Sequence, residues 1–78
     1  MVRKLDVTGH KCPIPVLRLR RALDALDEGE ELLVEATDPM SEMDIPHFCQ
    51  QTGQQLLDIQ REGEKYIFRL RKSDKAKR

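Results

Sequence analysis

Lys4-Leu5-Asp6-Val7-Thr8-Gly9-His10-Lys11-Cys12-Pro13-Ile14-Pro15-Val16 changes its hydrophobic period halfway along. Up to Thr8, Leu5 and Val7 alternate with polar neighbours, the period-2 pattern of a short half-buried strand. Gly9 ends that pattern and permits a backbone turn that other residues resist. From Pro13 the period lengthens. Val16, Leu19, Leu23 and Leu26 recur at helical spacing, flanked by Leu17 and Ala22, while Arg18, Arg20, Arg21, Asp24 and Asp27 occupy the opposite face. The spacing predicts an amphipathic helix of about three turns that starts at Pro13 and is closed by Gly29 in the C′ position. A strand, a glycine turn and a helix in this order open an α/β unit.

The rest of the chain extends that unit. Glu31 to Thr37 is apolar enough at its centre for an interior strand, and Asp38-Pro39 stops it. A second helix is expected from about Ser41 to Thr52, with Ile45, Phe48, Cys49 and Thr52 on one face and Gly53 as its stop. A start at Ser41 would leave Pro46 inside the helix, where it removes a hydrogen bond. A later start, capped by Asp44 with Pro46 in the first turn, avoids that cost, while Ser41-x-x-Asp44 has the form of a capping box that favours the earlier one, so both starts stay open. Gln55 to Arg61 and Lys65 to Arg71 read as two further strands joined by a tight Glu62-Gly63-Glu64 hairpin. The order β-α-β-α-β-β predicts a two-layer α/β sandwich with both helices on one face of a four-stranded mixed sheet.

The 78 residues suffice for one modest core. Two cysteines exclude a disulfide-dense scaffold. No apolar run approaches the roughly 20 residues of a membrane span and no signal-peptide core follows Met1, so a cytoplasmic chain with reduced thiols and no membrane partner is expected. Lys plus Arg and Asp plus Glu balance at 14 each, but Arg69, Arg71, Lys72, Lys75, Lys77 and Arg78 crowd the C-terminal end. The expected division is a domain over residues 1–72 and a basic, disordered tail over 73–78.

Cys12 is where the chemistry concentrates. Pro13 suits a first helical position, which places Cys12 at or beside the N-cap, where the helix dipole and free amides favour an anion. Lys11 adds a positive charge, and Pro15 stiffens the turn that directs the sulfur. These effects lower a thiol pKa, and the thiolate is the nucleophile. The bland alternative is a small buried residue at a helix start; His10 and Lys11 are poor company for burial. Cys49 shares a face with Ile45 and Phe48 and reads as core.

Two other chemistries use the same residues. His10, Cys12, His47 and Cys49 supply two nitrogens and two sulfurs, a tetrahedral zinc set by type but not by any finger spacing, so no metal and no cofactor are expected. Pro15 stands where a Cys-x-x-Cys pair would have its second thiol, which disfavours a thioredoxin-like oxidoreductase. A lone reachable thiolate on a small rigid body fits a group carrier acting with partner enzymes better than a self-sufficient hydrolase. A nucleic-acid or regulatory module using Arg18, Arg20, Arg21 and the basic end is the alternative, and only one Tyr and two Phe are present to build a stacking platform.

Leu5-Asp6-x-x-Gly9-x-Lys11-Cys12-Pro13-x-Pro15 resembles the N-terminal signature of the TusA/SirA-like sulfur-carrier family, whose mark is Cys-Pro-x-Pro. The resemblance continues through Gly29-Glu30, Thr37-Asp38-Pro39, Asp44-Ile45-Pro46-x-Phe48-Cys49 and the terminal hairpin, over about residues 4 to 72. It implies the same two-layer sandwich. It also implies that Cys12 accepts sulfane sulfur as a persulfide from a cysteine desulfurase or rhodanese-type donor. The sulfur then passes to an acceptor protein in tRNA thiolation, molybdenum-cofactor synthesis or sulfur oxidation. The resemblance assigns Asp38 a partner-docking role and needs no direct nucleic-acid contact. A monomer is the simplest body for docking two partners in turn. His10 stands where the family often has an apolar residue, and His47 where it often has a small one.

Overall fold

A computed structural model of the chain describes residues 2–11 and 14–73. Its elements run β1 (Val2–Val7), α1 (Ile14–Asp24), β2 (Glu31–Ala36), α2 (Ser41–Thr52), β3 (Gln55–Glu62) and β4 (Lys65–Arg71). The strands form one sheet in the order β1-β2-β4-β3. β1 and β2 are parallel, and β4 runs antiparallel to both of its neighbours. The β-α-β-α-β-β two-layer α/β sandwich expected from the sequence is therefore the fold, with β2 and β4 interior and β1 and β3 at the edges.

The alternation along each strand decides which face is covered. Leu32, Val34 and Ala36 pair in register with Leu70, Phe68 and Tyr66, and all six are buried. Val7 joins them from β1, opposite Ala36. Leu19 and Leu23 of α1 and Ile45, Phe48 and Cys49 of α2 close over this row. The opposite face is wet. There Glu31 receives Arg69 Nε at 3.0 Å and Arg71 Nη2 at 3.3 Å, and Lys65 lies 3.5 Å from Glu35. The Arg69 hydrogen bond, more than that of Arg71, holds the Glu31 carboxyl below its usual range.

Several boundaries differ from the sequence reading, each for a local reason. α1 ends at Asp24, so Gly29 is not its C′ residue. The amides of Ala25 and Leu26 reach back only three residues, to Ala22 and Leu23, which keeps Leu26 turned into the core. Lys72 Nζ then donates to the Leu23 carbonyl, and Gly29 pairs with Lys72 through its own amide at 2.9 Å. Of the two starts that the sequence left open, α2 takes Ser41 and holds Pro46 inside, without a side-chain cap. Its opening amides are satisfied before the helix proper: Met40 N donates to Asp38 Oδ1, Ser41 N to Asp38 O and Glu42 N to Pro39 O. That Asp-Pro turn fixes the early start, and the carbonyl that Pro46 leaves unpaired belongs to exposed Glu42, where water can take it. Gly53 does close α2, with φ +80° and its amide on Cys49 O. The hairpin loop is tighter than expected, since Glu62 still pairs with Lys65 and only Gly63 and Glu64 lie between them. β3 carries one extra residue, Leu57, between Leu56 and Asp58, a bulge that bends this edge. Among the described residues no helix is long and apolar enough to cross a membrane.

Candidate functional site

Because β1 and β2 are parallel, the loops that leave them for α1 and α2 lie at the same end of the sheet. The first of these loops carries Cys12. Cys12 and Pro13 themselves lie outside the described residues, so the site is built from what flanks them.

The loop is tied down at three points before Cys12. Asp6 Oδ1 accepts the Thr8 amide at 2.9 Å and the Thr8 hydroxyl at 2.6 Å, an Asx-type turn that ends the strand. These bonds hold the Asp6 carboxyl below its usual value, with smaller help from the charges of Lys65 and His10. Gly9 follows at φ +83°, a conformation that favours glycine, and its amide donates to Thr37 Oγ1 at 2.8 Å. His10 N then closes onto Val7 O at 3.2 Å. Beyond the step, Ile14 N donates to Lys11 O at 2.9 Å, so the chain on either side of positions 12 and 13 is tied together. The Gly9–Thr37 bond joins segments 28 residues apart and fixes the Cys12 loop to the loop that starts α2.

The sequence-predicted residues divide accordingly. Lys11 is exposed in the loop. Pro15, read from the sequence as a stiffener of the first turn, is also one of the buried residues of α1 and anchors the start of that helix. Asp38 turns its carboxylate back onto the Met40 amide, which sets where α2 begins. Cys49 is 3 % exposed, and burial pushes its thiol up to about 11, the signature of a core residue. His47 is exposed while Cys49, two residues on along the same helix, is buried, so the two do not converge on one ion. Among the described residues no three His, Cys, Asp or Glu side chains gather as a metal set. Thr37 is the residue that sequence reasoning missed: its role rests on a contact 28 positions away, which no local pattern reports.

Around this end stand apolar side chains that the core does not take. Ile14 and Leu17 of α1 are 42 % and 57 % exposed, and Met43, in the first turn of α2, is 68 % exposed. The arrangement is a short anchored loop with exposed aliphatic and thioether side chains on the first turns of the two helices that follow the parallel strands.

Comparison with known proteins gives this geometry a context. The family model for sulfurtransferase TusA matches residues 3–72. A sulfur carrier protein TusA of Allochromatium vinosum is 42 % identical over 71 residues, covering 91 % of this chain and 93 % of that one. A putative sulfur carrier protein of Neisseria meningitidis serogroup A is 52 % identical over 54 residues, 69 % of this chain and 73 % of the other. Among solved structures, the SirA-like protein of Desulfitobacterium hafniense superposes with a TM-score of 0.78 over 95 % of this chain and all of its own; at 21 % identity it bears on the fold alone.

Proposed function

The chain belongs to the sulfurtransferase TusA family of sulfur carriers, and from that premise we propose that Cys12 is the atom-carrying residue of a persulfide relay. The observation that carries the reading is the match over residues 3–72 together with a Cys12-Pro13-x-Pro15 segment whose cysteine stands two residues before the start of α1 in sequence. A cysteine so placed in sequence lies next to a helix N-terminus and a lysine, both of which favour its thiolate. In loading, the Cys12 thiolate attacks the terminal sulfur of a donor persulfide; a new S–S bond forms, the donor's S–S bond breaks, and the donor departs as a thiolate. Delivery is the mirror step, in which an acceptor thiolate takes the terminal sulfur and Cys12 leaves. No external oxidant or reductant is consumed. The donor is a cysteine desulfurase or a rhodanese-type protein, and the acceptor belongs to tRNA thiolation, molybdenum-cofactor synthesis or sulfur oxidation.

Lys11, Pro13 and Pro15 support the thiolate and its presentation, and Asp38 acts on docking through the turn it holds at the start of α2. The carrier domain is residues 1–72. The basic tail proposed for 73–78 is described only at Ser73, and residues 74–78 lie outside the described part. A reducing compartment such as the cytoplasm suits a working thiol. The test is intact-mass spectrometry without reductant after incubation with a cysteine desulfurase and cysteine. A gain of one sulfur atom, reversed by reductant and absent in Cys12→Ser, is expected. No gain with several unrelated donors, on a thiol that still alkylates freely, would overturn the reading.

A further inference from the structure

α1 spends its three neighbouring arginines unequally. Arg20 lies over the Phe48 ring, its guanidinium carbon 5.5 Å from the centroid. Arg18 and Arg21 make no ion pair among the described residues. They line instead a groove of about 430 Å³ floored by Leu5 and Ala22 and bounded by Leu17. Leu5 belongs to β1, which pairs with β2 only, so the groove runs along a free sheet edge whose backbone donors and acceptors face outward. Arg3 stands two residues before Leu5 on the same side of the strand, beyond the residues that line the groove.

An open strand edge, an aliphatic floor and two cations form a consistent specification. We infer that the β1 edge binds an extended acidic segment of a partner protein, which adds to the sheet as a fifth strand. Its carboxylates meet Arg18 and Arg21, and an apolar side chain between them settles on Leu5 and Ala22. Six residues of β1 present about 20 Å of edge, room for five or six residues of partner. The make-up of the edge argues against a second copy of this chain: another β1 would bring two cations, Arg3 and Lys4, and a single carboxylate, Asp6, already engaged with Thr8. The floor argues against RNA, because the bases would need aromatic faces and Phe48, Tyr66 and Phe68 are all buried.

The inference rests on the carrier reading only for the partner's place in a sulfur relay. Binding itself does not use Cys12, so Cys12→Ser separates the two ideas: it is expected to bind the segment as the unaltered chain does while losing sulfur loading.

The experiment is an NMR titration of the full chain with the peptide acetyl-Asp-Thr-Leu-Thr-Asp-Thr-amide, up to about 1 mM at low salt, where weak binding is still read. Saturable shifts on β1 and α1 are expected, with slowed hydrogen exchange at alternate amides of Val2–Val7 as they enter a new ladder. The double substitution R18Q/R21Q is expected to weaken binding about tenfold or more, since it removes two charge-assisted contacts. Gln keeps a helix-favouring stem at both positions, so folding is preserved. Three outcomes would each overturn the inference: no change in exchange along β1, equal binding of a peptide with Lys in place of both Asp residues, or displacement of the peptide by oligouridine.

Discussion

Replacing Thr37 by Val tests whether the loop that carries Cys12 is held from β2. The substitution keeps shape and β-branching and removes one hydroxyl, the acceptor of the Gly9 amide at 2.8 Å. Gly9 is exposed, so its orphaned N–H can turn to water. The cost is therefore that of a net hydrogen bond, about 0.5–1.5 kcal/mol, rather than the larger penalty of a buried unpaired donor. The better strand propensity of Val offsets a few tenths of that, since residue 37 stands just past the end of β2. With a urea m-value of about 1 kcal/mol/M for so small a domain, the midpoint falls by roughly 0.5–1 M at unchanged slope. Locally, the same energy multiplies the opening of the loop about two- to tenfold, read as faster exchange at the Gly9 amide. The rate of Cys12 alkylation changes with it, while exchange in β4 slows or quickens only with global stability. Thr37→Ser, which keeps the hydroxyl, retains the Gly9 protection. If Gly9 exchanges at the same rate in Thr37→Val as in the unaltered chain, the bond does not hold the loop and the argument for a loop fixed from β2 fails.

Two further outcomes follow from the core. Phe68 is fully buried on interior strand β4, and Phe68→Ala is expected to cost about 3–5 kcal/mol, a large share of the roughly 4–12 kcal/mol that a domain of this size has in total; the urea midpoint should fall by about 3–5 M or to zero, and a midpoint near that of the unaltered chain would refute the core assignment. The Cys49 thiol, raised by burial from 9.0 to about 11, makes stability fall as pH rises through that window, because the unfolded chain loses the proton before the folded chain does. The urea midpoint between pH 9 and 11 should therefore drop less in Cys49→Ala than in the unaltered chain, and equal drops would contradict the burial of that thiol.

Much of this molecule was readable in advance, and the failures have a common cause. Lys65 to Arg71 was read as a strand to the residue, because Tyr66, Ile67, Phe68 and Leu70 make an apolar, β-favouring run between charged ends, and Tyr66, Phe68 and Leu70 are the buried ones. Gly53 was read as the stop of α2 and is, since a left-handed C′ residue is a property of the helix itself. Gly29 was given the same role for α1 and does not have it. Leu26 must reach the core, which tightens the last turn onto the Leu23 carbonyl, and Lys72, 49 residues on, donates to that same carbonyl. Pro46 left the start of α2 open for the same reason: the helix-breaking rule is local, whereas that start is set by the Asp38 turn upstream. The Cys-Pro-x-Pro stretch drew attention to its loop, but the hydroxyl that anchors the loop announced nothing.

The chain's own pattern determined the order of elements and the buried side of β1, α1 and α2, and it singled out Cys12 as the residue to test. Each depends on burial repeating every two residues or every three to four, and on a thiol's nearest neighbours. Tertiary structure alone decided the strand order β1-β2-β4-β3, hence that β1 keeps a free edge beneath Arg18 and Arg21, and that Thr37 holds the Cys12 loop. Those outcomes depend on which distant segments close against each other. The core selects that closure by summing many weak contacts, so no single stretch of sequence states it.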